Sequence, residues 1–322
     1  YYDNYTNSLD MIPLIMSNLL QPGRTLTRLK YKRFPVAKNF NKEEITNSLC
    51  VDFSNGINST NFSEALEKII RYGGVVLQNY FLKSKVDQFF KIYQEDFNTI
   101  LLKKKNIHSF TSSPLPLNEF LIGWFTDKTI ISLLKQYLNR LPYAREYPAS
   151  QWMNPMFEKG KLIKQDDFST EWHLDHTLLI QASVYLTDVM QDGSCMQILP
   201  GTHRFPATSM GYLSEEYVNN RKLETLNCYG SAGSVQIHCG NVFHRFRPRP
   251  NSARAWMKFA YTSGNSIHLD SKKIGQSLIS GFDLDSLNEE QKEILRGLYP
   301  RLIPKGVEIH KTFLRQTTFK GI

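Results

Sequence analysis

Four cysteines in 322 residues, with no CxxC pair among them, leave little basis for a disulfide framework or a zinc finger. Cys50, Cys195, Cys228 and Cys239 instead read as reduced thiols of an intracellular protein. No run of about 18 apolar residues occurs, which argues against a membrane-spanning helix. The opening Tyr1-Tyr2-Asp3-Asn4 has neither a basic n-region nor an apolar h-region, so no secretory signal is visible and a cytoplasmic location is expected. There is no internal repeat and no low-complexity tract. The sequons at Asn4, Asn58 and Asn61 arise easily in an Asn-rich chain and carry no weight. A basic helix interleaved with aromatics is also missing, despite a net charge of +9. The basic residues are scattered apart from Lys103-Lys104-Lys105 and the group Arg245, Arg247 and Arg249. That distribution suits a solvated surface or a cleft for an anionic small molecule better than a nucleic-acid track.

What is present is a chain of ordinary globular composition, 41% hydrophobic, long enough for a large core. Residues 1–60 are polar, with turns at Gln21-Pro22-Gly23 and Ser54-Asn55-Gly56. They read as an extension packed on the main body. Asn61 or Ser63 is placed to cap a helix through Leu66, Ile69 and Ile70, ended by Gly73-Gly74. Val75–Tyr80 then reads as a strand, Ser84 opens a second helix, and 128–139 a third. After Pro148 the pattern changes to short β-type runs: Ser150–Met153, Thr170–His173, Leu178–Leu186, Cys195–Leu199, Ser234–His238, Val242–Phe246 and Ala253–Thr262. Many short strands with turn residues between them predict a mainly β domain with flanking helices, a sandwich or barrel over 61–265. A helical insertion at about 205–230, with its helix over Ser214–Leu226, interrupts it. Residues 266–322 form a C-terminal helical extension, where Ser286-x-x-Glu289 reads as a capping box.

The chemistry centres on His173-Leu174-Asp175 and a histidine 69 residues beyond the aspartate, His244. Two side chains two apart on an extended segment point the same way. A histidine, a carboxylate and a distant histidine make the two-histidine, one-carboxylate set that holds Fe(II) with coordination positions to spare. Single histidines in strands are usually hydrogen-bonded core or surface residues. His238 is a rival for the distant ligand, with His176 and His203 as further candidates. A second triplet, His268-Leu269-Asp270, has only His310 after it. Ten residues past His244 lies Arg254, which alternation puts on one face with Trp256 and Lys258. An inward guanidinium there suits a bidentate pair with a carboxylate. The other arginines, Arg245, Arg247 and Arg249, read as surface residues of a Pro-rich turn.

These residues together resemble the phytanoyl-CoA dioxygenase family of Fe(II)- and 2-oxoglutarate-dependent oxygenases. Trp172-His173-Leu174-Asp175 is similar to its WHxD element. Tyr185-Leu186-Thr187-Asp188 and Gly193-Ser194-Cys195-Met196-Gln197-Ile198-Leu199-Pro200-Gly201-Thr202-His203-Arg204 continue the likeness. So do Gly233–His238 followed by His244, and Tyr72–Phe81 upstream. The resemblance spans about residues 62–265 and implies a double-stranded β-helix (jelly-roll, cupin-like) core. It implies that His173, Asp175 and His244, not His238, bind Fe(II). Arg254 would then meet the far carboxylate of 2-oxoglutarate, and Gln151 a polar contact at its other end. O2 would be the second co-substrate.

The implied activity is hydroxylation or another oxidation of a small molecule, with secondary metabolism as the expected setting and with release of succinate and CO2. Asp175 stands where halogenating relatives have a small residue, so halogenation is not expected. The segment before Trp172 departs from the family's Pro-Pro-Gly element. Substrate choice is therefore expected to reside in the N-terminal extension and in residues 103–125, 155–170 and 205–230. Two alternatives follow from the same residues: a catalytically silent jelly-roll binding protein and a nucleic-acid-modifying oxygenase.

Overall fold

The structure, a computed structural model, describes residues 49–93, 111–115, 117–153, 155, 157–162, 170–175, 179–204, 212–262, 283–295 and 298. His176, the 268–270 triplet, His310, the Lys103–Lys105 run, most of the N-terminal extension and part of the 205–230 insertion lie outside these residues.

The chain opens with β1 (Cys50–Asp52) and α1 (Ser59–Tyr72). Asn58 caps α1: its side chain accepts from the Asn61 amide at 3.0 Å, and Asn61 returns the bond at 2.9 Å. The cap therefore falls before the predicted Asn61 or Ser63, and Asn61 is the reciprocal partner. Gly73 ends the helix at φ +84, and a Cβ there would stand 2.6 Å from His203 Nδ1. β2 (Gly74–Gln78), α2 (Lys83–Ile92), β3 (Thr111–Pro114), α3 (Glu119–Phe125) and α4 (Lys128–Leu138) follow.

Next comes β4 (Tyr143–Met153), much longer than the predicted Ser150–Met153. Pro148, read from sequence as a boundary, lies inside it, where the pairing register slips. Such an irregularity tolerates the missing N–H. After β5 (Phe157–Glu158) and β6 (Lys161–Leu162) come β7 (Trp172–His173), β8 (Leu179–Tyr185), β9 (Cys195–Ile198) and β10 (Tyr212–Leu213). The insertion helix α5 is only Glu215–Asn220. Lys222 at φ +50 breaks it, and the polar run to Glu224 offers no apolar stripe to continue it. β11 (Leu226–Cys228), β12 (Val235–Cys239), β13 (His244–Arg247) and β14 (Arg254–Thr262) complete the strands, and α6 (Glu289–Leu295) the described tail. Its capping box is Asn288 with Gln291, not Ser286 with Glu289.

A seven-stranded sheet runs β1-β2-β12-β8-β14-β4-β3 and a five-stranded sheet runs β10-β7-β13-β9-β11. From β4 to β14 the path alternates between the sheets. β4, β8, β12 and β14 lie in the larger, β7, β9 and β13 in the smaller, with β11 beside β9. All of these pairings are antiparallel. This winding is a double-stranded β-helix, as expected. Alternate residues serve two cores. Val75, Leu77, Ala182, Val184, Val235, Ile237, Met257 and Phe259 pack outward against Ala65, Ile69, Phe89 and Leu133 of the helices. Their neighbours Val76, Tyr185 and Trp256 face inward with Met153, Ile198 and Phe246. Leu287, Ile294, Leu295 and Leu298 of the tail join the outer core.

Candidate metal centre

β7 contributes two residues with opposite roles. Trp172 is buried outside the barrel with Leu174, Leu199, Val218 and Phe243, while His173 and then Asp175 turn inward. At the entry to β13 the same alternation sends Phe243 outward and His244 inward. His244 is the direct cross-strand partner of His173. Their ring centroids lie 4.4 Å apart. One donor atom from each of His173, Asp175 and His244 lies within 4.8 Å of the others. The three residues singled out in the sequence are thus together in space.

Both imidazoles are held in one tautomer. His173 Nδ1 lies 2.6 Å from Glu171 O, and His244 Nδ1 lies 2.9 Å from Val242 O. A carbonyl oxygen only accepts, so each Nδ1 carries a proton, and in the neutral ring each Nε2 presents a lone pair. Burial pushes His244 below the usual imidazole range; Asp175 opposes this, and His173 and Lys258 reinforce it. Burial pushes the Asp175 carboxyl up, but His244, His238, His173 and Lys258 together hold it below the usual range. A neutral His244 imidazole and an ionised Asp175 carboxylate result, facing the His173 ring. That donor set fits a first-row divalent ion such as Fe(II).

The outer face locks these strands in place. Arg245 lies 4.4 Å over the Trp172 ring, pairs with Glu215 of α5 and donates from Nε to Gln197 Oε1 at 2.9 Å. Trp172 Nε1 donates to the same Glu215 carboxylate at 3.1 Å. Arg247 donates to the carbonyls of Gln191 and Gly193. Neither is the free surface arginine that the sequence suggested. The Pro-Gly-Thr-His turn fixes the approach to His244. Thr202 Oγ1 accepts from Phe243 N at 3.0 Å, and Asn241 Nδ2 donates to His203 O at 2.7 Å. His203 itself points to Ile70 O, against α1, not to the cluster.

Arg254 is 4% exposed. Its guanidinium lies 4.7 Å over Phe246 and 4.3 Å over Trp256. No hydrogen bond or ion pair meets it among the described residues, and its buried Nε is unpartnered. A desolvated cation without an anion is costly, so this pocket is chemically complete only with a carboxylate or similar group. Gln151, also buried, stands opposite Trp256 on the same inward wall. Two inward residues of β12, Gln236 and His238, enter the site more deeply than the sequence suggested. The signal was their alternation with Val235, Ile237 and Cys239 in an otherwise apolar strand.

A double-stranded β-helix with this two-histidine, one-carboxylate cluster on its inner wall defines a class of metal-dependent barrel. The chain belongs to the phytanoyl-CoA dioxygenase (PhyH) family, whose profile matches residues 72–254. Among solved structures, the epimerase SnoN, determined with Fe3+, alpha ketoglutarate and nogalamycin RO, is 14% identical. The likeness covers 64% of this chain and 84% of that one, with a TM-score of 0.44. HygX from Streptomyces hygroscopicus, with nickel and 2-oxoglutarate bound, is 13% identical over 61% and 85%, TM-score 0.43. EctD from S. alaskensis is 14% identical over 64% and 77%, TM-score 0.46. No curated protein matches the chain. Among the described residues, no helix is long and apolar enough to cross a membrane.

Proposed function

We propose that the protein is an Fe(II)- and 2-oxoglutarate-dependent dioxygenase that hydroxylates a small-molecule substrate, with O2 consumed and succinate and CO2 released. The observation that supports this most is the convergence of His173, Asp175 and His244 donor atoms within 4.8 Å on the inner wall of the barrel. In this reading those three residues hold the iron. Bound there, iron supplies O2 activation coupled to oxidative decarboxylation of 2-oxoglutarate; binding and orientation are the chain's part.

The Glu171 and Val242 carbonyls keep the imidazole protons at Nδ1, so both Nε2 lone pairs stay available. Arg254, held against Phe246 and Trp256, receives the far carboxylate of 2-oxoglutarate as a bidentate pair. Gln151 supplies a polar contact to the same molecule from β4. Met153, Ile198 and Trp256 keep water from this end of the barrel, where an ion pair is strengthened by the low dielectric. Lys258 adds positive charge beside Asp175, which favours an anionic substrate. With Asp175 filling the carboxylate position, we assign oxygen insertion, not halogenation.

The test is anaerobic titration of metal-free protein with Fe(II), then 2-oxoglutarate. A weak visible charge-transfer band is expected in the wild type and absent in His244→Ala. No band from folded wild-type protein would overturn the reading.

A further inference from the structure

We infer that His238 is a positioning residue for Asp175, donating its Nε2–H to the carboxylate and so fixing the orientation in which Asp175 meets the metal. This rests on the iron site proposed above and adds a residue to it. His238 is fully buried on the inward face of β12, directly across from Gly74 of β2. Gly74 has no side chain to fill that space; a Cβ there would approach His238 Cβ to 3.4 Å.

A polarised chain leads to the ring. Gln236 Oε1 stands 3.3 Å from Tyr185 Oη, whose single proton it shares with Cys228 O at 3.1 Å, and Gln236 Nε2 faces His238 Nδ1 at 3.0 Å. An amide N–H only donates, so Nδ1 accepts. In the neutral ring the proton is therefore at Nε2. That Nε2 is buried and has no hydrogen-bond partner among the described residues. Asp175 Oδ2 stands 4.0 Å from it and 3.5 Å from His244 Nε2. A lone pair aimed at a carboxylate oxygen repels it, whereas an N–H attracts it. Leaving a buried N–H unmade is costly, and an inward leucine would avoid that cost. His238 is also outside the set whose donor atoms converge within 4.8 Å. It is placed to hold a ligand, not to be one.

Co(II), titrated into the full metal-free chain, separates the outcomes. With an outer partner of a ligand removed, His238→Leu should bind Co(II) roughly 10–100-fold more weakly. His238→Gln, whose amide offers an N–H at a similar reach, should recover most of that loss with the wild-type cobalt absorption spectrum. Gln236→Leu cuts the relay without touching His238 or Asp175 and should weaken binding several-fold, which covers the case of a misfolded leucine variant. Wild-type affinity in both leucine variants would make His238 a bystander and overturn the inference. Equal weakness in the leucine and glutamine variants, with an altered cobalt spectrum, would make it a direct ligand and overturn it too. Failure of the folded wild type to bind Co(II) better than His244→Ala would instead bring down the metal site, and this role with it.

Discussion

Arg254 is a full positive charge laid against two aromatic rings, with no anion among the described residues to meet it. Truncating one partner of a buried charge pair costs about 2–5 kcal/mol. Arg254→Ala should therefore weaken 2-oxoglutarate binding roughly 30-fold or more, read by anaerobic calorimetry. Arg254→Lys should recover only part, because a point charge cannot form the fork. An unchanged affinity in the alanine variant would move the role to another cation. Gly73 poses a steric constraint of similar sharpness. At φ +84, with His203 Nδ1 2.6 Å from a would-be Cβ, Gly73→Ala should cost on the order of 1–3 kcal/mol. Urea unfolding reads this directly; a neutral result would mean the turn between α1 and β2 can shift.

The connection among α5, β7 and β13 is the element whose loss should touch the metal site without unfolding the barrel. Arg245 and Glu215 keep 19% and 52% of their side chains exposed. An ion pair so placed is worth about 0–1 kcal/mol. Glu215→Ala should thus leave the urea midpoint almost unchanged, yet loosen Trp172 and raise the dissociation constant for Fe(II) or Co(II) several-fold. Equal affinity would show that β13 alone holds β7. β2, β7, β8, β9, β12, β13 and β14 were legible because each carries β-formers bounded by turn residues, and their ends moved by only one or two positions. β3, β5, β6, β10 and β11 are two to four residues long and were not read, β10 and β11 falling in the segment expected to be helical. β4 was missed in part because proline inside a strand reads as a stop unless the register slip that accommodates it is known. The starts of α1 and α6 were shifted because a polar residue near a helix start serves either as cap or as third residue of a capping box: Asn58 with Asn61, Asn288 with Gln291. From sequence alone, either position fits.

For the whole molecule, the constellation was legible from His173, Asp175 and His244 because a β-helix brings an HxD strand beside a later histidine strand. The three-residue β1 was not, since Cys50-Val51-Asp52 is too short to show alternation inside a polar segment. Neither was the partner of Arg245, because nothing local in the sequence links β13 to Glu215. All four cysteines are reduced, three of them buried. Burial raises every thiol above its ordinary range, Cys239 to about 12. Native protein at neutral pH should therefore react slowly with a thiol reagent, and unfolded protein should titrate four groups at once. A rapidly reacting native thiol would contradict that burial. Acid should be destabilising in the metal-free state. His238 and His244 are held below the free imidazole value of 6.5, chiefly by burial. The unfolded chain thus binds more protons as pH falls through that value, and stability is lost from there downward. The denaturant midpoint should drop between about pH 7.5 and 5.5, and less so in His238→Gln. A flat profile would mean these rings protonate in place.

His173 and His244 face each other across one strand pair, yet they are seventy-one positions apart in the sequence. An ion held by both would therefore close a long loop and act as a cross-link in a chain that has no disulfide. Loops of that length are slow to close during folding. The ion cannot be captured until β7, β8, β9, β11 and β12 have been threaded and β13 has docked beside β7. Metal uptake should then be a late event of refolding. Once made, it should retard unfolding, because the barrel cannot open along the β7–β13 seam without first releasing its ion.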